Sequence, residues 1–422
     1  MEQSFVYASI ITIGDELLIG QVVDTNSTWM AAELNKAGVW LRHRLAVGDR
    51  KEEILQALDR ESQDAHIILI TGGLGPTADD ITKPVLCEYF GGKMITDDGA
   101  LQNVRTIFAR LQRPMLAVNL QQAEVPDVCT VIQNHRGTAP GMWFEKEGKI
   151  YVSMPGVPHE MKGMMLNDVI PGLQKHFSMP GILSRTLLTA GIGESFLSEL
   201  IKDFEAALPP TLKLAYLPNF GMVRLRLTGI SFDAGLESTI NEQFGVLTGL
   251  VKEYLVTDRD ETIPQVVARL LEQAGKTLGT AESCTGGYIA HLLTQQKGAS
   301  RYFNGSVVSY SNQVKEEVLG VQPATLEAYG AVSEETVREM VHGAMDLLKT
   351  DYAVAVSGIM GPDGGTSEKP VGTVWVAAGS RNNLLTQKFQ FRFDRQRNIE
   401  LTANQALNLL RKLLVPGMEQ PN

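Results

Sequence analysis

Apolar residues fall along the chain in two rhythms, and their alternation gives the architecture. Val6–Ile13 is an almost unbroken apolar run ended by Gly14, as expected of a strand buried on both faces. Thr25–Lys36 has helical spacing and stops at Gly38. Val39–Val47 is a second strand, Lys51–Asp64 an amphipathic helix, and His66–Thr71 a short buried strand running into Gly72-Gly73. Strand and helix in alternation predict a parallel sheet covered by helices on both faces. This unit, residues 1–175, closes with the strand Lys149–Ser153 and the turn Pro155-Gly-Val-Pro158.

Residues 178–256 change rhythm. Thr186–Thr189, Lys213–Leu217 and Met222–Thr228 predict strands, the last two joined by Asn219-Phe-Gly221. Helices are predicted at Glu194–Ala207 and Gly235–Tyr254, which makes a small α+β module. Its Gly191-x-Gly193 reads as a turn before a helix. The polar stretch Val256–Thr262 reads as a linker, with Pro264 in the first turn of the next helix. The third region, 262–416, is again α/β. Its strands are expected at Thr277–Thr280, Ser306–Tyr310, Tyr352–Val356 and Gly372–Ala378, and its helices at 264–274, Ser333–Lys349 and Ile399–Leu413. No internal repeat breaks this division.

Composition narrows the classes. The 422 residues are 44% hydrophobic and 20% charged, a globular balance in a chain too long for one ordinary core. A formal charge of −10 argues against a nucleic-acid scaffold, which needs a basic face. Cys87, Cys129 and Cys284 are widely spaced and give neither a disulfide framework nor a CxxC metal pair, a usage that suits a reducing cytoplasm. No apolar run approaches the roughly 20 residues of a membrane span, so no membrane partner is expected. The seven histidines show no HxH or HExxH spacing.

Candidate chemistry sits in two places. In the C-terminal region, Ala281-Glu-Ser-Cys-Thr-Gly-Gly287 offers two adjacent nucleophiles, Ser283 and Cys284, in a turn kept open by Gly286 and Gly287. A serine needs a base, and Lys315 or Tyr310 in Tyr310-Ser-Asn-Gln-Val-Lys315 fits that need. Backbone amides of Thr285, Gly286 and Gly287 are candidate oxyanion donors. Gly361-Pro-Asp-Gly-Gly-Thr366, with Gly364 and Gly365, forms a candidate phosphate cradle together with Lys369. The plainer readings are a solvated lysine and a buried, inert cysteine. A thiolate nucleophile at Cys284 also stays open.

In the N-terminal region, Thr71-Gly-Gly-Leu-Gly-Pro-Thr77-Ala-Asp-Asp80 follows a buried strand, where open α/β sheets bind ligands. Gly72, Gly73 and Gly75 let amides close on phosphate oxygens, and Thr77 adds a hydroxyl. The formal dinucleotide pattern Gly73-x-Gly75-x-x-Ala78 is weak, because Asp79 and Asp80 repel a bare pyrophosphate unless a cation intervenes. Asp15 and Glu16 end another strand, with Asp24 and Asn26 nearby, so these carboxylates together make a candidate metal site for attack on a phosphoanhydride. Taken singly, such aspartates usually serve as helix caps or turn residues.

Three N-terminal segments, Gly14-Asp-Glu-Leu-Leu-Ile-Gly20 with Asp24-Thr-Asn26, Thr71–Thr82 and Pro155-Gly-Val-Pro-His-Glu-Met161, resemble the molybdopterin-binding-like half of the CinA (competence/damage-inducible protein A) family. The segments Ala281–Gly287, Tyr310–Lys315 and Gly358–Thr373 resemble that family's C-terminal half, which also occurs alone as nicotinamide mononucleotide (NMN) deamidase. The middle module fits the family's KH-like domain in element order alone. The resemblance covers nearly the whole chain.

It implies an α/β protein of three domains and a bifunctional enzyme of pyridine-nucleotide recycling, cytoplasmic and homodimeric. The N-terminal domain would hydrolyse ADP-ribose to AMP and ribose 5-phosphate with a divalent metal (Mg, Mn or Co). The C-terminal domain would deamidate NMN to nicotinic acid mononucleotide and ammonia with no cofactor. Asp80 stands where molybdopterin-processing relatives place a functional aspartate, and Glu160, in a shared motif, joins the metal ligands. Ser283 becomes the preferred nucleophile, and Arg395 a partner for the 5′-phosphate, although its neighbourhood lacks the glycine of the family pattern. The resemblance also admits molybdopterin binding or adenylylation by the N-terminal half, or a non-enzymatic competence or DNA-repair adaptor.

Overall fold

The computed structural model describes residues 5–77, 79–233 and 235–415. Ala78 of the dinucleotide-like pattern and Pro416 at the expected domain end lie outside the described residues. The chain divides into two compact units. One is Met1–Ser184 with Pro209–Lys213 and Thr228–Asn241; the other is Arg185–Leu208, Leu214–Leu227 and Glu242–Asn422.

The first unit carries a six-stranded sheet in the order Val39–Val47, Val6–Ile13, Ile67–Thr71, Lys149–Met154, Gly141–Lys146, Thr130–Ile132. The first four strands are mutually parallel, and each of the last two pairs antiparallel with its neighbour. The wholly parallel sheet expected from the sequence is therefore a mixed one. The cause is local: Glu147 (φ 53°) and Gly148 (φ 72°) make a two-residue turn between adjacent strands, and a tight hairpin can only join antiparallel partners. Alternation along Ile67–Thr71 sends Ile67 and Leu69 into one core, with Met30, Leu34 and Met161. Ile68 and Ile70 go into the other, with Ile54, Leu58 and Leu86. Three neighbouring parallel strands thus end together at Ile13, Thr71 and Met154, and the loops leaving them carry the N-terminal motifs.

The second unit holds a five-stranded sheet in the order Phe303–Val308, Leu278–Glu282, Tyr352–Gly358, Thr373–Ser380, Leu384–Gln390. The first three are parallel, and each of the last two pairs antiparallel with its neighbour. Val354 and Val356 face the core made by helices Ile263–Ala274 and Arg395–Leu414. Ala353 and Ala355 face Val337, Met340, Val341 and Ala344 of helix Glu334–Leu348, their small side chains suiting the close approach of that helix. The edge strand Leu384–Gln390 went unpredicted because its polar, half-exposed sequence carries little apolar signal.

A four-stranded sheet, Leu212–Asn219, Met222–Ser231, Gly181–Ala190, Leu255–Thr257, forms the middle module. The expected linker 256–262 is not loose. It begins inside a strand, and Glu261 is held by Arg269 at 2.8 Å while its carbonyl accepts from Arg224. Among the described residues no helix is long and apolar enough to cross a membrane.

Candidate active site

Strand Leu278–Glu282 delivers Ser283 into the turn ahead of helix Tyr288–Thr294. The Ser283 amide donates to the Val356 carbonyl (3.1 Å), and the Glu282 carbonyl accepts from the Ser309 amide (2.9 Å), so the turn hangs between neighbouring strands. Gly286 (φ 61°) and Gly287 (φ 99°) complete it in the left-handed region that glycine favours. Strand Phe303–Val308 stops two residues short of the expected end at Tyr310. Ser309 and Tyr310 thereby leave the sheet and turn their carbonyls to Lys315 on helix Asn312–Leu319, which Ser311 caps.

The Lys315 Nζ donates to Ser283 Oγ at 3.1 Å and to the Ser309 carbonyl at 2.8 Å. The side chain is 1% exposed, and burial holds its amine below the ordinary lysine value of 10.5, with Cys284 opposing. The Cys284 thiol is itself buried, and burial pushes it up to about 12 while Glu282 adds to the rise; Lys315 and Arg395 pull the other way. A thiolate there is disfavoured.

The phenol of Tyr310 meets Arg395, whose Nη2 donates to it at 3.2 Å, while Nη1 holds the Gly361 carbonyl at 2.8 Å. Tyr310, Arg395 and Gly361 are therefore brought together, with the tyrosine hydroxyl turned toward the arginine. Lys369 is placed elsewhere: its Nζ donates at 2.6 Å to the Tyr329 carbonyl, the last residue of helix Pro323–Tyr329, and its backbone closes a turn with Thr366. Gly364, Gly365 and Thr366 line an exposed loop.

The structure redistributes the candidate oxyanion donors. The Gly286 amide is taken by the Ser283 carbonyl (3.2 Å) and the Gly287 amide by the Glu282 carboxylate (3.1 Å). Among the described residues the N–H groups of Cys284 and Thr285 donate to no other residue, the Cys284 amide facing only its own thiol. Two contributors were missed in the sequence. Asn398, fully buried, donates to the carbonyls of Met360 and Phe393 and so fixes the backbone on either side of Arg395's contact. Glu282 stands in the quoted motif without a role, and only its place as the one charge on strand Leu278–Glu282 signals it.

In the N-terminal unit the glycine loop is sterically required. A Cβ on Gly72 (φ 112°) would lie 2.2 Å from the Ile13 carbonyl, and one on Gly73 (φ 62°) 2.1 Å from Thr82 Oγ1. A cavity of about 150 Å³ is lined by Thr12, Glu16, Asp24, Asn26, Gly72 and Gly156 among others. Asn26 Nδ2 donates to Gly156 at 2.7 Å, leaving its buried Oδ1 without a partner. Lys83, a buried lysine beside Asp80 that went unnoticed, donates to the Gln122 carbonyl at 2.6 Å. Burial lowers its amine to about 8, against the charges of Glu124 and Asp80.

The expected metal ligands do not gather. Asp24 caps helix Thr25–Lys36, accepting from the Ser27 amide (2.9 Å), the Ser27 hydroxyl and Thr12 Oγ1 (3.2 Å). Asp80 accepts from the amide (2.9 Å) and hydroxyl of Thr77, which also holds the exposed Asp79 below the ordinary carboxylate value. Glu160 is bound by Asn134 at 2.7 Å. The backbone amides of Asp15 and Asp49 each donate to the other's carboxylate, and Asp49 is absent from the expected set. Burial raises the Asp49 carboxyl, the Asp15 amide opposes, and the charges of Asp15, Glu16 and Asp79 add to the rise. Among the described residues, no group of three or more His, Cys, Asp or Glu side chains is arranged to hold a metal ion, so the set Asp15, Glu16, Asp24, Asp79, Asp80 and Glu160 does not fit one here.

Comparison with known proteins covers the same regions. Residues 9–175 match the "Probable molybdopterin binding domain" family, 184–245 the "Damage-inducible protein CinA KH domain", and 260–414 the "CinA C-terminal domain". A CinA-like protein of Cytophaga hutchinsonii is 47% identical, covering 97% of this chain and 98% of the relative. One of Flavobacterium psychrophilum is 42% identical over 96% and 98%. A crystal structure of a competence-damaged protein (CinA) superfamily protein from Klebsiella pneumoniae is 38% identical, covering 36% of this chain and 95% of that one, with a TM-score of 0.35. With a molybdopterin-binding-like domain, a KH-like domain and a C-terminal CinA domain in one α/β chain, the protein belongs to the CinA family.

Proposed function

We propose that the C-terminal site hydrolyses the carboxamide of NMN, with Ser283 as nucleophile and Lys315 as base. The observation that carries this is the 3.1 Å contact between Lys315 Nζ and Ser283 Oγ, made by an amine whose burial favours its neutral form. Neutral Lys315 takes the hydroxyl proton as Ser283 Oγ bonds to the carboxamide carbon, and the carbonyl π pair moves onto oxygen. Collapse breaks the C–N bond, Lys315 returns the proton to the leaving nitrogen, and ammonia departs from an ester on Ser283. Water then attacks with Lys315 again accepting a proton, the ester C–O bond breaks, and Ser283 recovers its hydrogen. The net change is amide plus water to acid plus ammonia. The Arg395 guanidinium, between Tyr310 and the Gly361 loop, supplies the cation for the nucleotide phosphate.

For the N-terminal half the proposal is hydrolysis of the pyrophosphate of ADP-ribose over the glycine loop, with the divalent cation brought in on the substrate's phosphates, since the carboxylates do not gather to hold one. The support is the strictly glycine-demanding turn at Gly72-Gly73 beside a cavity that Glu16, Asp24 and Asn26 help to line. The match of residues 9–175 to a molybdopterin binding family favours a second reading, a pterin nucleotide in the same cavity. A paired assay of the purified chain decides: ammonia release from NMN, and AMP release from ADP-ribose with and without chelator, with a pterin nucleotide as competitor. No ammonia from NMN sinks the first proposal, and AMP release undiminished by chelator sinks the cation.

A further inference from the structure

We infer that Glu282 is a positioning residue for the Ser283 chemistry: its carboxylate ties up the amides behind the turn and leaves those of Cys284 and Thr285 as the oxyanion donors. The inference rests on the reading of Ser283 as an acyl-transfer nucleophile. Glu282 is the last residue of strand Leu278–Glu282 and fully buried. A buried carboxylate is costly unless donors surround it. Here Oε2 accepts from Thr285 Oγ1 at 2.7 Å, the Gly287 amide at 3.1 Å and the Ile289 amide at 2.9 Å, while Oε1 accepts from the Ala290 amide at 2.8 Å. Thr280 and Ser306 hydroxyls stand farther off, at 3.4 and 3.5 Å.

Three consequences follow from that geometry. The first-turn amides of helix Tyr288–Thr294 are consumed internally, so they are not a phosphate site. The strand end and the helix start are clamped to one side chain, which fixes the arc of backbone from Ser283 to Gly287 between them. Within that arc the Gly286 and Gly287 amides are occupied, while among the described residues those of Cys284 and Thr285 bond to no other residue. Amides directly after a nucleophile are well placed for the oxygen that becomes negative as Ser283 adds to a carbonyl. Among the described residues no other acidic side chain bonds to this turn. Glutamate rather than glutamine is required, since an amide –NH₂ in place of one oxygen would point a donor at donors.

The test compares the full chain with Glu282→Gln, Glu282→Asp and Thr285→Val, the last keeping its amide but losing one hydroxyl donor to Glu282. Two readouts are used: steady-state ammonia release from NMN, and the rate at which phenylmethanesulfonyl fluoride labels Ser283, which forms an O–S bond and expels fluoride without needing NMN. A shift of about 1 Å in such an arrangement costs about 10²-fold. Glu282→Gln should lose about that factor in kcat with KM within about threefold, and label correspondingly slowly. Glu282→Asp should recover part of the loss, and the pH at which kcat/KM rises should not move, because Lys315 is untouched. Unchanged kcat and labelling in folded Glu282→Gln overturns the inference, as does a loss confined to KM. If Glu282→Gln fails to fold, Thr285→Val decides by the same signs. If the wild-type chain leaves NMN intact, the substrate reading fails, and the labelling ratio alone judges Glu282.

Discussion

At the scale of single residues the question is which side chain attacks. Ser283 and Cys284 are adjacent in sequence, and nothing in their order separates them. Their environments do: Ser283 Oγ faces the Lys315 amine, while the Cys284 thiol is buried and pushed up to about 12. Ser283→Ala and Lys315→Ala should therefore each cost about 10⁴-fold or more in ammonia release, as members of one nucleophile–base unit do. Cys284→Ala should keep most of the rate; a dead Cys284→Ala beside an active Ser283→Ala would reverse the assignment. Lys315 also sets the pH profile. Burial lowers its value in the folded chain, and the neutral amine is the base, so kcat/KM should rise with pH and level off below 10.5. A profile still climbing past 10.5 would show that the lysine is not the base. The pair Ser283 and Lys315 was legible because both sit in short glycine- and polar-rich motifs. Glu282 was not, because its function lies in four hydrogen bonds that only the folded turn assembles.

At the scale of elements, the sequence announced strands and helices wherever apolar periodicity was strong and failed where pairing decides. The hairpin at Glu147-Gly148 turned an expected parallel sheet into a mixed one, and the polar edge strand Leu384–Gln390 left no apolar trace. The carboxylates of the N-terminal motifs show the same limit. Spacing grouped Asp24 with metal ligands, whereas in the fold both its oxygens are engaged at the start of helix Thr25–Lys36. Asp24→Ala should lower stability by about 1–2 kcal/mol, the usual worth of such a cap, while Asp24→Asn, which also caps, should stay near wild type and keep its AMP release. Loss of that activity in a stable Asp24→Asn would mean that the charge itself is needed. On helix Arg395–Leu414, Asn398→Leu removes the donor to the Met360 and Phe393 carbonyls. Leaving those groups unpaired should cost about 1–3 kcal/mol by thermal or urea unfolding. It should also raise KM for NMN by loosening Arg395; an unchanged KM would detach Arg395 from the phosphate.

At the scale of the whole chain, the polar stretch 256–262 promised two halves joined by a tether, and the structure makes that boundary a packed one. Leu188, Met222 and Val256 are buried in the same core as Ile263, Leu271 and Leu407. Arg397 lies over the Phe220 ring at 4.6 Å, and Gln405 donates to the Phe220 carbonyl. Charge and polarity in a sequence report solvent contact on average, and they could not show that Glu261 would be answered by Arg269. Every group of the Ser283 site nevertheless falls after residue 262, from Ser283 and Lys315 to Arg395 and Asn398. A fragment of residues 262–422 should thus deamidate NMN with a kcat close to that of a 178–422 fragment. It should also be the less stable of the two, because three apolar side chains worth about 1.5–3 kcal/mol each no longer cover its core. Its Tm should fall by roughly 10 °C or more relative to the longer fragment, at about 2–4 °C per kcal/mol for chains of this size. Equal Tm values would show that the middle segment adds nothing to that core, and a folded but inactive 262–422 would place part of the site upstream of it.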